Sequence, residues 1–228
     1  MTFNTQHCKN FLEGDIDIPL MARVIAESGA DLVALNEMYG AGTAPNYTDQ
    51  TGTLAELTGM YHYFAPAIGQ DRGKPYGNGL LSRLPIVHAE TVLIPDPAEK
   101  TGPKNYETRC VLKAELEGGI TVLVSHFGLN VDEEQLAVQT VLAQLPKEKG
   151  IVMGDFNAEP HDPVLQPLFD SLRDTAELLP PDTLTFPSDA PIKKIDYILL
   201  TPDVQLLEAQ VPAVVASDHR PIIARINL

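Results

Sequence analysis

Residues 150–157 have the sequence Gly-Ile-Val-Met-Gly-Asp-Phe-Asn, an apolar run that ends in two polar side chains, Asp155 and Asn157. The run from Gly150 to Met153 predicts a short buried strand, because it is apolar without alternation and is bounded by glycines. Asp155 and Asn157 are two positions apart, so they leave the strand end with the same parity. A rigid strand that presents two polar groups in this way predicts a functional site at its end.

The same arrangement, an apolar strand followed by polar side chains, recurs along the chain. Asn36 and Glu37 follow the run Leu32–Leu35, and His126 follows Val122–Ser125. The other polar candidates near predicted strand ends are Asn4, Asn78, Asp196, Asp218 and His219. A sheet can hold such side chains in place while the loops beside them admit a substrate.

The apolar pattern switches repeatedly between strand-like and helix-like periods, which predicts an α/β fold. Helices are predicted at Ile16–Ser28, Thr51–Leu57 and Asp132–Leu145. Besides the runs above, strands are predicted near Tyr61–Ala65, Gly79–Leu81, Ile86–Leu93, Lys194–Leu200, Val204–Leu207 and Pro221–Ile226. The clearest hairpin joins Val111–Leu116 to Ile120–Val124 through Gly118 and Gly119. We therefore predict two mixed β-sheets packed face to face with helices outside, in one domain of residues 1–228.

Composition limits the kind of protein. The 228 residues are 44% hydrophobic, which suffices for a large core, and they contain no apolar run near the ~18 residues needed to cross a bilayer. We expect a soluble, cytoplasmic protein. Cys8 and Cys110 lie far apart and predict reduced thiols. The net charge of −15 disfavours extended duplex DNA as a partner, because proteins that grip duplex DNA usually present a basic face.

Each polar candidate has an ordinary structural explanation when it is taken alone. Asn78 lies between two glycines, as a turn residue would; Glu37 could be a solvated carboxylate, and a lone His126 could be a packing residue. Their joint occurrence favours a catalytic site over these separate structural explanations. Carboxylates supply the hard oxygen ligands that Mg²⁺ or Mn²⁺ prefers, whereas the cysteines and histidines lack a zinc-site spacing. Asparagine amides can donate to phosphate oxygens, and histidines can act as donors or acids near neutral pH.

Taken in order, the motifs resemble those of the endonuclease/exonuclease/phosphatase superfamily, which includes deoxyribonuclease I, abasic-site endonucleases, inositol polyphosphate phosphatases and neutral sphingomyelinases. The resemblance covers nearly the whole chain. It is carried by Thr2-Phe3-Asn4, Leu35-Asn36-Glu37, Gly77-Asn78-Gly79-Leu80-Leu81-Ser82, Ser125-His126-Phe127, Gly154-Asp155-Phe156-Asn157, Lys194-Ile195-Asp196-Tyr197-Ile198 and Ser217-Asp218-His219. It implies a four-layer α/β sandwich and a hydrolase that cuts a phosphate ester with a divalent metal.

The resemblance also implies roles for individual residues. Glu37 would be the principal metal-binding carboxylate, with Asn4 and Asp218 close to the metal, Mg²⁺ or Mn²⁺. Asp155 would orient or deprotonate the attacking water, and Asn157 and Asn78 would donate to the phosphate. His219, held by Asp196, would stabilise the phosphoryl group and assist the leaving oxygen. His126 matches a second histidine of the deoxyribonuclease-like and sphingomyelinase-like branches.

Two positions lie outside this pattern. Many relatives have an acidic residue or asparagine two positions after the first asparagine, but this chain has Gln6, which weakens the case for a second metal. Arg109 is a candidate for an additional phosphate contact, and a charge on the strand surface explains it equally well.

The substrate is left open by the motifs, because specificity depends on loops. Here these loops are short and rich in proline and glycine, at Tyr39–Gln50, Gly69–Gly77, Pro95–Tyr106 and Pro180–Ile192. Together with the negative charge, they favour a small phosphate ester or a lipid head group. The alternatives are a nuclease that acts on DNA and a non-catalytic binding module on the same fold.

Overall fold

The computed structural model describes residues 1–228 and contains two mixed β-sheets. The first sheet has four strands: β1 (Thr2–Asn4), β2 (Leu32–Tyr39), β3 (Tyr61–Ile68) and β4 (Tyr76–Ser82). Their order is β1-β2-β4-β3, with β1 parallel to β2 and the other neighbours antiparallel. A short bridge from Thr2 to Ile222 places a separate antiparallel pair of late strands beside β1.

The second sheet is larger. Its six strands are β5 (Ile86–Leu93), β6 (Cys110–Leu116), β7 (Ile120–His126), β8 (Gly150–Asp155), β9 (Arg173–Asp174) and β10 (Asp196–Leu200), in the order β5-β6-β7-β8-β10-β9. Only β7 and β8 are parallel to each other. The pair beside β1 consists of β11 (Gln205–Gln210) and β12 (Ile223–Asn227). The strand predicted from residues 150–153 is therefore an interior strand of the larger sheet.

Four α-helices cover the outer faces: α1 (Ile18–Ser28), α2 (Gln50–Thr58), α3 (Val131–Gln144) and α4 (Gln166–Phe169). The first of them begins two residues later than predicted, because the Asp17 side chain accepts a hydrogen bond from the Leu20 amide and caps the helix. It ends where Gly29 adopts a left-handed conformation. None of the helices is long and apolar enough to cross a membrane.

The buried apolar residues form three separate cores, and these define four layers. Ala34, Leu112 and Met153 belong to the core between the two sheets. A second core packs α1 and α2 against the first sheet, and a third packs α3 and α4 against the second. Side chains of β2 alternate between two of these cores, since Val33 and Leu35 face the helices while Ala34 faces the other sheet. The predicted fold class is confirmed.

Several strands are longer than their apolar runs. β2 continues through Asn36 and Glu37, and β7 continues to His126, so these polar residues belong to the strands and do not follow them. β10 begins at Asp196 and not at Lys194. Backbone pairing on one side explains the extension, because Asn36 pairs with Asn4 and His126 pairs with Asp155 although the apolar pattern has ended.

Candidate active site

Strand register brings three candidate residues into one row of the second sheet. His126 on β7 pairs with Asp155 on β8, and Asp155 pairs on its other side with Asp196 on β10. Residues paired across neighbouring strands point to the same face, so the three side chains lie together. In the first sheet, Asn4 on β1 pairs with Asn36 on β2 in the same manner.

A β-bulge in β2 directs Glu37 into the site. Leu35 pairs with Gly79 and Met38 pairs with Gly77, so Asn36 and Glu37 together oppose the single residue Asn78. Glu37 has a φ of 61° and is the additional residue of the bulge. Simple alternation would place it on the face that Leu35 and Met38 cover with apolar contacts. The bulge turns its carboxylate to Asn4, whose Nδ2 donates to Glu37 Oε1 at 3.1 Å.

Asn36 joins the two sheets beneath the site. Its Nδ2 donates to Asn78 Oδ1 at 2.8 Å and to the Ser125 carbonyl at 3.1 Å, and its Oδ1 accepts from the Asp155 amide at 3.0 Å. Asn78 is 2% exposed, and its own Nδ2 donates to the Cys110 carbonyl at 3.0 Å. The amide of Asn78 is therefore used inside the protein. Asn78 is part of this buried network beneath the site, and its contact with phosphate stays a prediction.

Asp155 is the point on which the other side chains converge. Its Oδ1 accepts from the backbone amide of Asn157 at 2.9 Å, and its Oδ2 accepts from Asn4 Nδ2 at 3.0 Å. His126 Nε2 and His219 Nε2 lie 3.5 and 3.6 Å from the same Oδ2. Burial raises the pKa of Asp155, and the neighbouring charge of Asp196 adds to the rise while His219 opposes it.

Asn157 follows Asp155 in a left-handed conformation, with a φ of 53°. Its Nδ2 donates to the Phe127 carbonyl at 3.0 Å, and the side chain is only partly buried. Since an amide nitrogen carries two hydrogens, one remains available to a substrate. Backbone strain of this kind persists where the surroundings hold it in place, commonly at functional sites.

His219 and Asp196 form a buried pair. His219 Nδ1 lies 2.9 Å from Asp196 Oδ2. Burial alone would lower the pKa of His219, but the charges of Asp196 and Asp155 outweigh it and raise the pKa to about 10. By distance, Asp155, Asp196 and His219 could together hold a metal ion, since their ligand atoms lie within 4.8 Å of one another. When His219 is protonated, the same three groups form an ion-paired trio, in which Asp196 occupies Nδ1.

Arg109 determines the tautomer of His126. Its Nη1 lies 2.9 Å from His126 Nδ1, and a guanidinium can only donate, so Nδ1 accepts and the proton of a neutral His126 is on Nε2. Burial lowers the pKa of His126 well below its usual value, with Arg109 and His219 contributing. The Arg109 side chain is only 13% exposed and pairs with Glu107 Oε1 at 3.0 Å. Arg109 therefore lies in the site. The alternative explanation from the sequence, a charge on the strand surface, does not apply.

Glu37 and Asp218 offer carboxylate oxygens at one end of the site, and Asn4 Oδ1 beside them accepts from the Gln6 amide at 3.0 Å. Burial raises the pKa of Glu37; the Asn4 hydrogen bond opposes this, and the nearby charge of Asp218 adds to it. Gln6 Nε2 donates to Asp218 Oδ2 at 3.0 Å, so the residue that departs from the family pattern supports Asp218. Two adjacent carboxylates with amide oxygens nearby are the donor set that a hard divalent cation prefers. These residues fit a Mg²⁺ or Mn²⁺ ion.

His7 and Tyr39 also border the site, although no motif pointed to them. The His7 ring stacks on Tyr39 with centroids 4.7 Å apart, and Tyr39 stacks on Tyr47 at 4.2 Å. Burial lowers the pKa of His7; Lys9 contributes to this effect and Asp218 opposes it. The available signal in the sequence was a titratable residue three positions after Asn4, in the loop that leaves the first strand.

Comparison with solved structures finds the same fold in several other proteins. An endonuclease/exonuclease/phosphatase from Beutenbergia cavernae has a TM-score of 0.77 at 23% identity, over 100% of this chain and 70% of that one. A mannosyl-6-phosphatase from Bacteroides thetaiotaomicron has a TM-score of 0.72 at 16% identity, over 92% of this chain and 90% of that one. A 3′ phosphatase from Neisseria, bound to a product DNA hairpin, has a TM-score of 0.70 at 16% identity, over 100% and 98%. At these identities the likeness concerns the fold.

The sequence itself gives the family. The model of the endonuclease/exonuclease/phosphatase family matches residues 1–219, which span every motif and every candidate side chain described above. Members of this family are metal-dependent phosphoesterases, and the buried carboxylates and histidines of this chain lie together at one end of the sandwich. The chain belongs to the endonuclease/exonuclease/phosphatase family.

Proposed function

We propose that this protein hydrolyses a phosphodiester or phosphomonoester of a small or lipid-type substrate, by metal-assisted attack of water. The observation that carries the proposal is the convergence on Asp155 Oδ2. Donor groups of Asn4, His126 and His219 lie 3.0 to 3.6 Å from this single oxygen. A carboxylate surrounded by donors, next to a second group of carboxylates, suits water activation beside a charged phosphoryl group.

In the proposed reaction, Asp155 accepts a proton from water while the water oxygen forms a bond to phosphorus. Burial raises the pKa of Asp155, which makes it a stronger base than an ordinary carboxylate. The bond from phosphorus to the leaving oxygen breaks, and the proton of His219 Nε2 is available to that oxygen. Asp196 keeps His219 protonated at neutral pH, since its carboxylate is bonded to Nδ1.

The remaining side chains stabilise charge on the phosphoryl group. His126 presents its Nε2 proton because Arg109 occupies Nδ1, and Asn157 has a free amide hydrogen. Mg²⁺ or Mn²⁺ held by Glu37, Asn4 and Asp218 would supply positive charge beside the same oxygens. Arg109 adds a guanidinium at the edge of this group. Removing one such donor typically lowers the rate by ~10² to 10³.

A small substrate is favoured by the cavity beside the His7 ring, whose Nδ1 lies 3.8 Å from Glu37 Oε2. It has a volume of about 290 Å³ and is lined by His7, Lys9, Tyr39, Tyr47 and neighbouring residues. Tyr39 and Tyr47 belong to the first of the loops from which we expected specificity. A cavity of this size accommodates a group of modest size such as a sugar ring, and the net charge of −15 disfavours a long polyanion. The phosphatase from Bacteroides thetaiotaomicron, which by its name acts on a mannosyl phosphate, agrees with this choice.

A nuclease or DNA 3′ phosphatase is the second candidate, and one observation favours it. The similar structure from Neisseria holds a DNA hairpin as product, and that protein matches this chain over its full length. Nicking of supercoiled plasmid in the presence of Mg²⁺ would separate this activity from the hydrolysis of small esters. Plasmid cleavage at low nanomolar protein would show that DNA, and not a small ester, is the substrate.

The main test uses bis-p-nitrophenyl phosphate and p-nitrophenyl phosphate with Mg²⁺, Mn²⁺ or EDTA. The wild type is compared with His219→Ala and with His62→Ala, which changes an exposed histidine on β3. We expect metal-dependent turnover that His219→Ala loses and His62→Ala retains. Equal absence of turnover in all three proteins, with natural phosphate esters also left intact, would favour a non-catalytic binding module.

A further inference from the structure

The loop after β1 holds three consecutive residues in a left-handed conformation. Gln6, His7 and Cys8 have φ values of 47°, 50° and 58°, and none of them is a glycine. Such conformations are unfavourable for residues with a side chain and persist only where the surroundings enforce them. Because this strain lies next to Glu37, it suggests that the turn serves to place one of its side chains beside Glu37.

Backbone hydrogen bonds hold His7 at the centre of this strained turn. The His7 amide donates to the Glu37 carbonyl at 2.8 Å, and the His7 carbonyl accepts from Gln50 Nε2 at 2.7 Å. Gln50 is fully buried, and its Oε1 accepts from the Tyr39 amide at 2.9 Å. The turn is thus tied to β2 on one side and to α2 on the other, so that His7 has little freedom to move.

The ring of His7 is oriented just as firmly. It stacks on Tyr39 with an angle of 4° between the ring planes, and its Nδ1 lies 3.8 Å from Glu37 Oε2. This Nδ1 is buried and has no hydrogen-bond partner. A buried nitrogen without a partner is unfavourable, and the distance to the carboxylate is too long for a hydrogen bond. A cation between the two atoms would satisfy both of them.

We propose that His7 Nδ1 is a ligand of the metal ion that Glu37 binds, and that it makes the site prefer Mn²⁺ and similar transition ions over Mg²⁺. Metal–ligand bonds to nitrogen and oxygen are about 2.0–2.2 Å long, so two ligand atoms of one ion lie at most ~4.4 Å apart. The separation of 3.8 Å is within this reach. Imidazole binds transition ions well, whereas Mg²⁺ prefers oxygen ligands alone. The inference rests on the proposed function for the presence of the ion.

The test measures metal binding directly and does not depend on turnover. Pulsed electron paramagnetic resonance of bound Mn²⁺ reports nitrogen ligands through their coupling to the electron spin. The proteins compared are the wild type, His7→Phe, which keeps a ring on Tyr39 but removes the nitrogen, and His88→Ala, which changes an exposed histidine on β5. Calorimetric titration with Mn²⁺ and Mg²⁺ gives the affinities of the same three proteins, and their thermal unfolding checks that each is folded.

We expect nitrogen coupling in the wild type and in His88→Ala, and its loss in His7→Phe. We also expect His7→Phe to weaken Mn²⁺ binding about tenfold or more and Mg²⁺ binding much less. Coupling that persists in His7→Phe, coupling that is absent from the wild type, or an equal loss of affinity for both ions would overturn the inference.

The two proposals fail separately. Nitrogen coupling in a protein that hydrolyses no phosphate ester would leave the ligand role of His7 standing and remove the proposed function. If the wild type hydrolyses phosphate esters with metal but shows no nitrogen coupling, the proposed function stands and the ligand role of His7 is removed. A third outcome is that Mn²⁺ binds through Glu37 without His7. In that case Glu37→Gln would abolish Mn²⁺ binding and His7→Phe would have no effect.

Discussion

Asn36 Oδ1 accepts a hydrogen bond from the backbone amide of Asp155 at 3.0 Å, and the two residues belong to different sheets. Asn36 Nδ2 makes two further bonds across the same gap, to Asn78 Oδ1 and to the Ser125 carbonyl. Asn36 is fully buried, so water cannot replace any of these contacts. Asn36 therefore shares with Asn4, whose Nδ2 donates to both Asp155 and Glu37, the task of fixing the position of Asp155 relative to Glu37.

Asn36→Ala should destabilise the protein and reduce its activity together. The substitution removes a hydrogen-bond partner from one buried amide and from two buried oxygens, which costs about 2–4 kcal/mol in the free energy of unfolding. We expect a loss of hydrolysis of about tenfold or more, because Asp155 keeps only the hydrogen bond from Asn4 to the first sheet and loses its exact position. Urea unfolding and ester hydrolysis measure the two effects. Asn105→Ala, at an exposed loop position, is the matched control and should change neither.

Gly154 cannot accept a side chain. Its φ is 145°, and a Cβ atom there would lie 1.8 Å from the Ser125 carbonyl oxygen of the neighbouring strand. We expect Gly154→Ala to lower the free energy of unfolding by more than ~3 kcal/mol or to abolish soluble expression. Gly118→Ala is the control for positive φ alone, since Gly118 has a φ of 88° and open space around it. It should cost about 1 kcal/mol, and an equal effect of both changes would refute the clash.

The pair of His219 and Asp196 should make stability depend on pH. The pKa of His219 is raised to about 10 in the folded protein, from 6.5 in an unfolded chain. Protonation of His219 therefore stabilises the fold fully below pH 6.5, and this contribution is lost as the pH rises through about 10. Asp196→Asn removes the charged partner, so its free energy of unfolding should fall less between pH 6.5 and pH 10. Urea unfolding across this range tests the prediction, and parallel curves for both proteins would contradict it.

Glu134, on α3, should oppose folding at high pH. Burial raises its pKa to about 7, with the charges of Asp162, Glu133 and Asp132 adding to the rise. A raised pKa favours the neutral carboxyl in the folded state, so the cost is absent below pH 4.5, grows towards pH 7 and persists above it. Glu134→Gln should raise the free energy of unfolding by about 1 kcal/mol at pH 8 and leave it unchanged at pH 4.

Chemical denaturation at the two pH values provides the measurement. Glu56→Gln changes an exposed carboxylate on α2 and serves as the control, which should show no difference at either pH. A gain in stability that Glu134→Gln shows equally at pH 4 and pH 8 would exclude titration as its cause.

Metal binding should stabilise the wild type and not Glu37→Gln. An ion that binds only the folded state adds about 2.7 kcal/mol at a hundredfold excess over its Kd. Thermal unfolding with and without Mn²⁺ should show a clear upward shift of Tm for the wild type and none for the variant. Without metal the variant should be the more stable of the two, since it removes a partly buried charge that Asp218 repels. A shift of equal size in both proteins would place the ion elsewhere.

The sequence alone sufficed for the α/β fold with helices outside two mixed sheets, for the family, and for the order of elements except the short α4 and β9. Apolar periodicity, caps and turns are local, and motifs such as Gly154-Asp155-Phe156-Asn157 and Ser217-Asp218-His219 are contiguous in the chain. Because the motifs are contiguous, their order along the chain could be compared with that of a known family without knowledge of the three-dimensional contacts. The family assignment is confirmed by the match over residues 1–219.

Only the tertiary structure decided which polar residues face the site and which support it. The bulge that turns Glu37, the burial of Asn78 and the contact of Arg109 with His126 all depend on pairing between strands far apart in sequence. The turn that places His7 beside Glu37 is unfavourable for its own residues, so no local preference could predict it. Such positions are set by the sum of long-range contacts, because these outweigh the local conformational preferences on which a sequence pattern depends.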